Sequence, residues 1–321
     1  MQELLLGGNL YLQVLKERMQ SSLSLTKRLL IKQFNSKSGT IITKADVEKA
    51  VKRSGGIDHA METFISTGNV VSQTGLGLMQ LRGLTIMAEN INRLRYMSHF
   101  RSVHRGSFFV EMRSTESRKL LPDSWGFLCP VHTPDGSPCG LLNHLAKKCF
   151  VVTKPPSPWI LKNLPDLLIG LGMFPLGYDS YPNVPLIDVM LDGKVIGFIQ
   201  EDQAKSIEKQ LRMLKIEGLK VPKMTEIVLV ERKPRGLYPG LYLFTSIARM
   251  MRPVFNIAAQ AVEMIGTFEQ VFLEVCVSAS EAYKGITTHQ EISKTDFMSN
   301  LACLIPLPDY NQSPRNMYQC Q

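Results

Sequence analysis

Thiols and imidazoles, the side chains best suited to bind metal or act as nucleophiles, gather near the middle of the chain. They are Cys129, His132, Cys139, His144 and Cys149. Structural zinc sites use paired Cys-x2-4-Cys knuckles, whereas here a Cys-x2-His pair is followed by gaps of six and four residues. A cysteine nucleophile would need a positioned base, and the pattern offers none. The spacing therefore favours buried thiols and hydrogen-bonded imidazoles over zinc binding or thiol catalysis.

A helix start near the carboxyl end has the features of a phosphate site. Ser313 stands at a predicted N-cap and Pro314 at the first helical position. Arg315 would then lie in the first turn, where free backbone N–H groups and a guanidinium together favour an anion. Because a cation in the first turn opposes the helix dipole, we expect an anion nearby. The sequence leaves two choices open for it, a phosphate or an ordinary carboxylate partner.

A basic stretch with aromatic side chains runs from residue 98 to residue 119. Its basic or titratable groups are His99, Arg101, His104, Arg105, Arg113, Arg118 and Lys119. Such a mixture can hold a phosphate backbone and stack on bases, and here it continues across a loop. The net charge of +9 agrees with a polyanionic partner, although basic housekeeping enzymes share it. The stretch predicts nucleic-acid contact, with a solvated helix end and loop as the alternative.

The segment from Pro122 to Leu145 must position the central cysteines and histidines. It contains four prolines and three glycines, which fix a non-repetitive backbone path. Trp125 lies inside it, and apolar runs flank it on both sides. We therefore predict a shaped loop, neither helix nor strand, that is packed between layers and holds a functional surface in place.

The flanking elements predict a mixed α+β fold. Apolar spacing indicates helices around residues 12–23, at 44–53 behind a Thr43/Asp46 capping box, across 84–100, and from 202 to Gly218. Asp192-Gly193 is a hairpin turn signal within 186–200, and further strands are predicted at 226–231, 237–244 and 270–277. Two cations beside a proline, in the run from Arg249 to Pro253, predict a surface turn. This succession of helices and strands is typical of an α+β protein with an antiparallel sheet.

Length and composition exclude several classes of protein. The chain of 321 residues is long enough for two or three structural units. Its longest membrane-like run, 167–178, is too short to cross a bilayer, and no secretory signal is visible at the start. Six cysteines without framework spacing indicate free thiols in a reducing compartment. Phosphate-binding Gly-rich loops, dinucleotide fingerprints and serine nucleophile elbows are missing from the sequence. Because the chain ends inside the predicted helix at 313, we expect a fragment or a shortened isoform of a larger protein.

Two motifs resemble a known family. The run Trp125-Gly-Phe-Leu-Cys-Pro-Val-His-Thr-Pro-Asp-Gly-x-x-Cys-Gly-Leu141 resembles the fork segment of the second-largest subunit of multisubunit DNA-dependent RNA polymerases. The run Asn311-Gln-Ser-Pro-Arg-Asn316 resembles the start of that subunit's hybrid-binding region. The family's usual Glu-Thr-Pro-Glu-Gly reads His-Thr-Pro-Asp-Gly from His132 to Gly136, which is similar to the RNA polymerase I version.

The resemblance implies a domain order and a role in transcription. It divides the chain into a helical protrusion remnant (1–66), a fork region (67–150), α+β external domains (151–288), a return to the fork (289–308) and the start of the hybrid-binding region (309–321). It implies partnership with the largest RNA polymerase I subunit and other polymerase subunits, the DNA template, the RNA–DNA hybrid and nucleoside triphosphates, in the nucleus and nucleolus. The runner-up is a basic nucleic-acid-binding scaffold without a polymerase role.

The resemblance also implies roles for particular residues. Arg315 matches the arginine that contacts the phosphates of the incoming nucleotide, and Asp135 and Arg118 match fork residues that support the active centre. Arg105 falls in a fork loop facing DNA, and we expect Arg101 beside it to contact nucleic acid too. In this family the largest subunit holds the catalytic Mg²⁺ with an Asp triplet. We therefore expect no catalytic residue and no metal ligand in this chain, which would act as a nucleotidyltransferase only within the assembled complex.

Overall fold

A computed structural model describes residues 3–36, 41–70, 72, 75–78, 81–112, 115–178 and 181–321. The chain divides into two compact units. One, the helical unit, comprises Leu5–His99 with His104–Thr115. The other, the sheet unit, comprises Met1–Leu4, Phe100–Val103 and Glu116–Gln321. Helices in one and sheets with helices in the other confirm the predicted α+β class.

Among the described residues of the helical unit are four α-helices: α1 (Gly7–Ser36), α2 (Lys44–Arg53), α3 (Ile57–Thr67) and α4 (Arg93–His99). The predicted capping box of α2 is confirmed, since Thr43 Oγ1 accepts from the Asp46 N–H at 3.4 Å and Asp46 Oδ2 accepts from the Thr43 N–H at 3.1 Å. Gly68 ends α3 with φ +66°, and a side chain there would collide with Thr85. The core of the unit is formed by Val14, Met61, Phe64 and Val70.

The predicted helix across 84–100 is wrong in its first half. Residues 84–90 form neither helix nor strand, and α4 begins only at Arg93. Asn92 Oδ1 accepts from the Arg95 N–H at 2.8 Å, which caps the helix at that point. Leu84 packs against the core of the unit, but Met87 and Ile91 are 89% and 81% exposed, so the apolar spacing that suggested a longer helix does not form one buried face.

The first sheet of the sheet unit has the strand order β4-β6-β5-β8-β7. Its strands are β4 (Phe174–Pro175), β5 (Leu186–Leu191), β6 (Lys194–Gln200), β7 (Glu226–Val230) and β8 (Gly240–Phe244). The predicted hairpin is confirmed, because Asp192 and Gly193 join β5 to β6 with φ +47° and +83°. Helices α5 (Pro158–Gly170) and α6 (Glu201–Glu217) pack on this sheet through Leu164, Leu168, Ile207 and Leu211. Gly218 closes α6 in the left-handed conformation, as predicted.

A second sheet is built on β9 (Met250–Asn256) and β10 (Ala261–Gly266), which pair antiparallel. The short strands β3 (Phe150–Val151) and β12 (His289–Gln290) also pair with β9, and β11 (Val275–Cys276) pairs with β12. The predicted strand at 270–277 is therefore reduced to two residues, after the one-turn helix α7 (Thr267–Gln270). Two short strands, β1 (Ser102–His104) and β2 (Leu142–His144), come earlier in the chain. The last helix is α8 (Ser313–Cys320).

The predicted surface turn at 249–253 is wrong. Met250–Asn256 is the central strand of the second sheet, and Arg249 just before it and Arg252 within it are only 1% and 4% exposed. Each guanidinium finds a carboxylate: Arg249 pairs with the buried Glu226 at 3.0 Å, and Arg252 pairs with the half-buried Glu291 at 2.7 Å. Paired charges of this kind tolerate burial, and the local sequence does not reveal the distant partners.

No helix in the described ranges is both long and apolar enough to cross a membrane.

Candidate functional site

The central segment from Pro122 to Leu145 lies in the sheet unit and is mostly non-repetitive, as predicted, although the prediction of neither helix nor strand is wrong at its two ends. A single 3₁₀ turn at Pro122–Ser124 and the short strand β2 are its regular elements, and turns fill the rest. Phe127 packs with Ala146, Cys149 and Met250, whereas Cys129, two residues later, packs with Met298, Ala302 and Cys320. The segment therefore inserts into two separate apolar clusters.

Arg252 on β9 supports the start of this segment. Gly126 has φ +79°, and a Cβ there would lie 2.7 Å from the Arg252 guanidinium. Arg252 Nε donates to Gln270 Oε1 at 2.7 Å, and Gln270 Nε2 donates to the Trp125 carbonyl at 2.8 Å. The Arg252 guanidinium also lies 5.5 Å from the centre of the Phe127 ring. Sequence analysis missed this contact, because its only local signal was the arginine–proline pair assigned to a turn.

The structure brings Arg118 and the Asp135 loop together. Arg118 Nη1 donates to the carbonyls of Ser137 and Cys139 at 2.6 and 2.7 Å. Gly140 has φ +77°, and a Cβ at this position would lie 2.8 Å from the Arg118 carbonyl oxygen. Asp135 is exposed, and its Oδ1 accepts from the Gly136 N–H at 2.7 Å. Arg118 therefore fastens the loop that presents the Asp135 carboxylate to solvent.

Two stacked imidazoles close the base of the same loop. The rings of His132 and His144 are 3.5 Å apart and nearly parallel, and both residues are buried. His132 Nδ1 is hydrogen-bonded to Ser299 Oγ at 2.8 Å, and His144 Nδ1 donates to the His132 carbonyl at 3.1 Å. Thr133 Oγ1 donates to the Leu142 carbonyl at 2.8 Å. The imidazoles thus have the packed, hydrogen-bonded setting that their spacing predicts.

The thiols lie in apolar surroundings. All six cysteines are free, and Cys129, Cys303 and Cys320 share one cluster with Met298. Burial raises the pKa of Cys149 and of Cys320 to about 12, which leaves both as neutral thiols at pH 7. In the described part of the chain, no three His, Cys, Asp or Glu side chains are grouped as metal ligands.

Arg101 and Arg105 lie in different compact units. Arg101 is half-buried in the sheet unit, and its Nη2 donates to the carbonyls of Ala146 and Cys149 at 2.7 and 3.0 Å. Arg105 is half-buried in the helical unit, next to Gly106, whose N–H donates to His104 Nδ1 at 3.0 Å. Arg113, from the same basic stretch, lies outside the described residues. Nucleic-acid contact by Arg101 and Arg105 stays a prediction.

Arg315 lies in the first turn of α8, as predicted. The N-cap is Gln312, one residue before the predicted Ser313, and it makes no side-chain capping bond. Arg315 is exposed, its guanidinium lies 5.9 Å from the Tyr318 ring, and it forms no ion pair within the described ranges. The far end of α8 is tied to the central segment, because Gln321 Nε2 donates to the Thr133 carbonyl at 3.2 Å. The helix that carries Arg315 is thus fixed to the loop that carries Asp135.

Two family models match the chain. The model described as RNA polymerase Rpb2, domain 3, matches residues 86–151, which contain the central segment. The model described as RNA polymerase I, Rpa2 specific domain, matches residues 196–252, which run from β6 through α6 to β9. Both matched regions are therefore similar to domains of RNA polymerase subunits.

Individual relatives in animals and fungi are subunits of RNA polymerase I. The chain is 53% identical to the DNA-directed RNA polymerase I subunit RPA2 of Drosophila melanogaster, with all of the chain and 28% of that protein aligned. It is 45% identical to the RPA2 subunit of Mus musculus and 45% identical to the RPA135 subunit of Saccharomyces cerevisiae, again over its whole length and over 28% and 27% of those proteins. It is a homologue of the RNA polymerase I second-largest subunit and spans a little over a quarter of the length of these relatives.

Proposed function

We propose that this chain is part of the second-largest subunit of DNA-directed RNA polymerase I and helps to form the active-centre cleft in which ribosomal RNA precursor is made on a DNA template. The observation that carries the proposal is the fastened loop of residues 132–140, with Arg118 beneath it and Asp135 at its surface, inside a region matched by the polymerase family model. Its partners are then the largest subunit, the other polymerase subunits, the DNA template, the RNA–DNA hybrid and nucleoside triphosphates. The site of action is the nucleus and, more narrowly, the nucleolus.

The roles of the site residues follow from their settings. An exposed guanidinium at an uncapped helix start suits the phosphates of an incoming nucleotide, so Arg315 is assigned to that contact. The Arg118 Nη1 atom is engaged with backbone carbonyls, so Arg118 acts as a positioning residue for the Asp135 loop. Arg101 and Arg105 are assigned to nucleic-acid contact. The domain order given by the family resemblance, from protrusion remnant to hybrid-binding region, belongs to the same proposal.

The catalytic Mg²⁺ is assigned mainly to the largest subunit. Mg²⁺ takes oxygen ligands, commonly one or two carboxylates together with substrate phosphates. In the described ranges no three potential ligand side chains are grouped, which does not fit a resident metal site in this chain. The part played by this chain is to hold substrate phosphates and to orient the loop that faces the reacting groups.

Association with the largest subunit tests the proposal. We expect an affinity-tagged full chain, expressed in cells of a close relative, to co-purify with a subunit that carries the Asp triplet. A chain that binds nucleic acid but never co-purifies with polymerase subunits would favour the alternative, a basic nucleic-acid-binding scaffold.

Nucleotide use tests the assignment of Arg315. In the assembled enzyme, Arg315→Ala should raise the apparent KM for nucleoside triphosphates about tenfold or more, because a charge-assisted contact to phosphate is lost. Arg235→Ala, which removes an exposed arginine from the loop between β7 and β8, is the matched control and should leave KM unchanged. Equal kinetics for the two variants would refute the assignment.

A further inference from the structure

Positive charge is concentrated on the first two helices. Together α1 and α2 contain nine lysines and arginines and three acidic residues, a net charge of +6, compared with +9 for the whole chain. The polymerase motifs lie elsewhere in the sequence, so they do not account for this concentration. A field of this strength attracts polyanions, and it is a reason to look for a built site within the helical unit.

A cleft of about 530 Å³ lies among α1, the end of α2 and the start of α3. Arg18, Ser21, Ser24 and Arg28 line it from α1, and Gly55 and Gly56 line it from the α2–α3 junction. Ser22 Oγ and Ser54 Oγ are hydrogen-bonded at 2.9 Å, which ties α1 to the end of α2. Gly55 has φ +89°, and no atom lies within 4 Å of the position where a Cβ would stand. The backbone at this junction is therefore open to close approach by a ligand.

Two arginines of this cleft have no hydrogen-bond or ion-pair partner among the described residues. The Arg18 Nε atom is buried and has no hydrogen-bond partner in the described part of the chain. Arg28 is exposed and forms no ion pair among the residues that the structure describes. A buried N–H without an acceptor is destabilising, and an anion in the cleft would supply the missing acceptor.

Two acidic residues lie at or near the cleft. Glu17 is the acid among its described lining residues, and Glu17 Oε1 accepts from Ser72 Oγ at 2.7 Å. The Asp58 carboxylate lies against Gly56 at the start of α3. The Asp58 carboxylate already lies at the positive end of the α3 dipole. Anion binding in the cleft therefore depends on the guanidinium groups and not on the start of α3.

The spacing of the arginines indicates the kind of anion. Arg18 and Arg28 are ten residues apart on α1, which corresponds to about 15 Å along the helix axis. Arginines that far apart along the axis leave room for separate phosphates, and a nucleic-acid strand in a duplex carries a phosphate about every 3.4 Å of axis. We propose that the cleft binds the sugar–phosphate backbone of a nucleic-acid strand, with Arg18 and Arg28 on separate phosphates and the hydroxyls of Ser21 and Ser24 as further donors. This site is independent of the polymerase assignment and reads no base sequence.

Salt-dependent binding of the full chain to fluorescein-labelled single-stranded DNA of mixed sequence tests the proposal. Each lost phosphate contact reduces the slope of log Kobs against log salt by about 0.7 for single strands. We expect the double variant Arg18→Gln/Arg28→Gln to bind with a slope shallower by about 1.4, and with an affinity about tenfold or more weaker at 0.1 M KCl. Lys44→Gln/Lys49→Gln removes the same charge from exposed positions on α2 that do not line the cleft, and it should leave the slope within about 0.3 of the parent.

Several outcomes would overturn the proposal. Equal slope changes for the two double variants would mean that a diffuse field, and not the cleft, binds DNA. Displacement of the DNA by inorganic phosphate at low millimolar concentration would indicate a single-anion site. Tighter binding of a phosphoserine peptide of equal net charge would indicate a protein partner.

If the glutamine variant fails to fold by circular dichroism, Arg18→Lys/Arg28→Lys serves instead. Lysine keeps the charge but loses the bidentate geometry, so we expect an unchanged slope and an affinity several-fold weaker; an unchanged affinity would contradict the cleft.

Discussion

Removing Arg252 should destabilise the sheet unit far more than removing an exposed arginine. The side chain of Arg252 is 4% exposed, and its Nη1 atom donates to both carboxylate oxygens of Glu291, at 2.8 and 2.7 Å. Arg252→Met keeps most of the apolar volume but leaves Glu291, whose side chain is only 12% exposed, without its cation. Breaking a buried pair from one side costs about 3–5 kcal/mol, and the partial exposure of Glu291 places this case near 3 kcal/mol.

Urea denaturation followed by tryptophan fluorescence measures this loss. The chain has two tryptophans, Trp125 and Trp159, and both lie in the sheet unit, so the signal reports that unit alone. With a urea dependence of about 2 kcal/mol per molar, a loss of about 3 kcal/mol moves the midpoint down by about 1.5 M. The matched control is Arg232→Met, because Arg232 forms an ion pair with Glu201 at 3.4 Å while its side chain is 58% exposed. The control should move the midpoint by about 0.5 M or less.

A second substitution separates loss of packing from an unpaired charge. If the unpaired carboxylate causes the loss, then adding Glu291→Gln to Arg252→Met should recover at least about 1 kcal/mol. A double variant as unstable as the sum of the single variants would refute the reasoning. So would an equal midpoint shift for Arg252→Met and Arg232→Met.

Two further predictions concern buried titratable groups of the sheet unit. Burial alone would raise the pKa of Glu263, but the charge of Lys215 and the hydrogen bond from His289 outweigh it, and the pKa lies well below its ordinary value of 4.5. The stability from this ionised carboxylate is therefore fully present above about pH 4.5 and is lost as the pH falls towards the depressed value. Accordingly, Glu263→Gln should be about 3 kcal/mol less stable at pH 7 and should lose less further stability than the parent between pH 5 and pH 3, measured by urea denaturation; identical acid slopes would contradict this. For the imidazole stack, His144→Phe keeps the ring over His132 and should cost about 1 kcal/mol for the lost hydrogen bond, whereas His144→Asn keeps a donor but removes the ring and should cost about 2–3 kcal/mol. The reverse order in urea midpoints would show that the hydrogen bond outweighs the stacking.

Elements specified by neighbouring residues could be predicted from the sequence. The capping box of Thr43 and Asp46 acts within one helical turn, and the turn at Asp192-Gly193 needs positive φ at two adjacent positions. Each signal is complete within about four residues, so no distant contact was needed to interpret it. The start of α8 at the Ser313-Pro314 pair follows the same logic, with an error of one residue at the cap.

Elements that depend on distant partners could not be predicted. The strand at Met250–Asn256 contains a proline and is flanked by a buried arginine, features typical of a turn or an edge. It can lie at the centre of a sheet because each arginine pairs with a distant carboxylate. Glu226 pairs with Arg249 from 23 residues away in sequence, and Glu291 pairs with Arg252 from 39 residues away. At 84–91 the opposite error occurred, because apolar spacing suggested a helix although Ile86, Met87 and Ile91 are exposed.

The buried arginines change the interpretation of the central segment. Its prolines and glycines are compatible with the observed path, but they do not by themselves hold the loop in it. Each left-handed glycine also has more conformational freedom in the unfolded chain, which disfavours the ordered loop. The path is fixed by cations that reach in from other elements: Arg252 against Gly126, and Arg118 on the carbonyls of Ser137 and Cys139. Gly126 and Gly140 are required because these guanidinium and backbone groups occupy the space of a Cβ. The loop that carries Asp135 is therefore held by partners that its own motif does not contain, so substitutions at Arg118 or Arg252 should alter the proposed function while every motif residue stays in place.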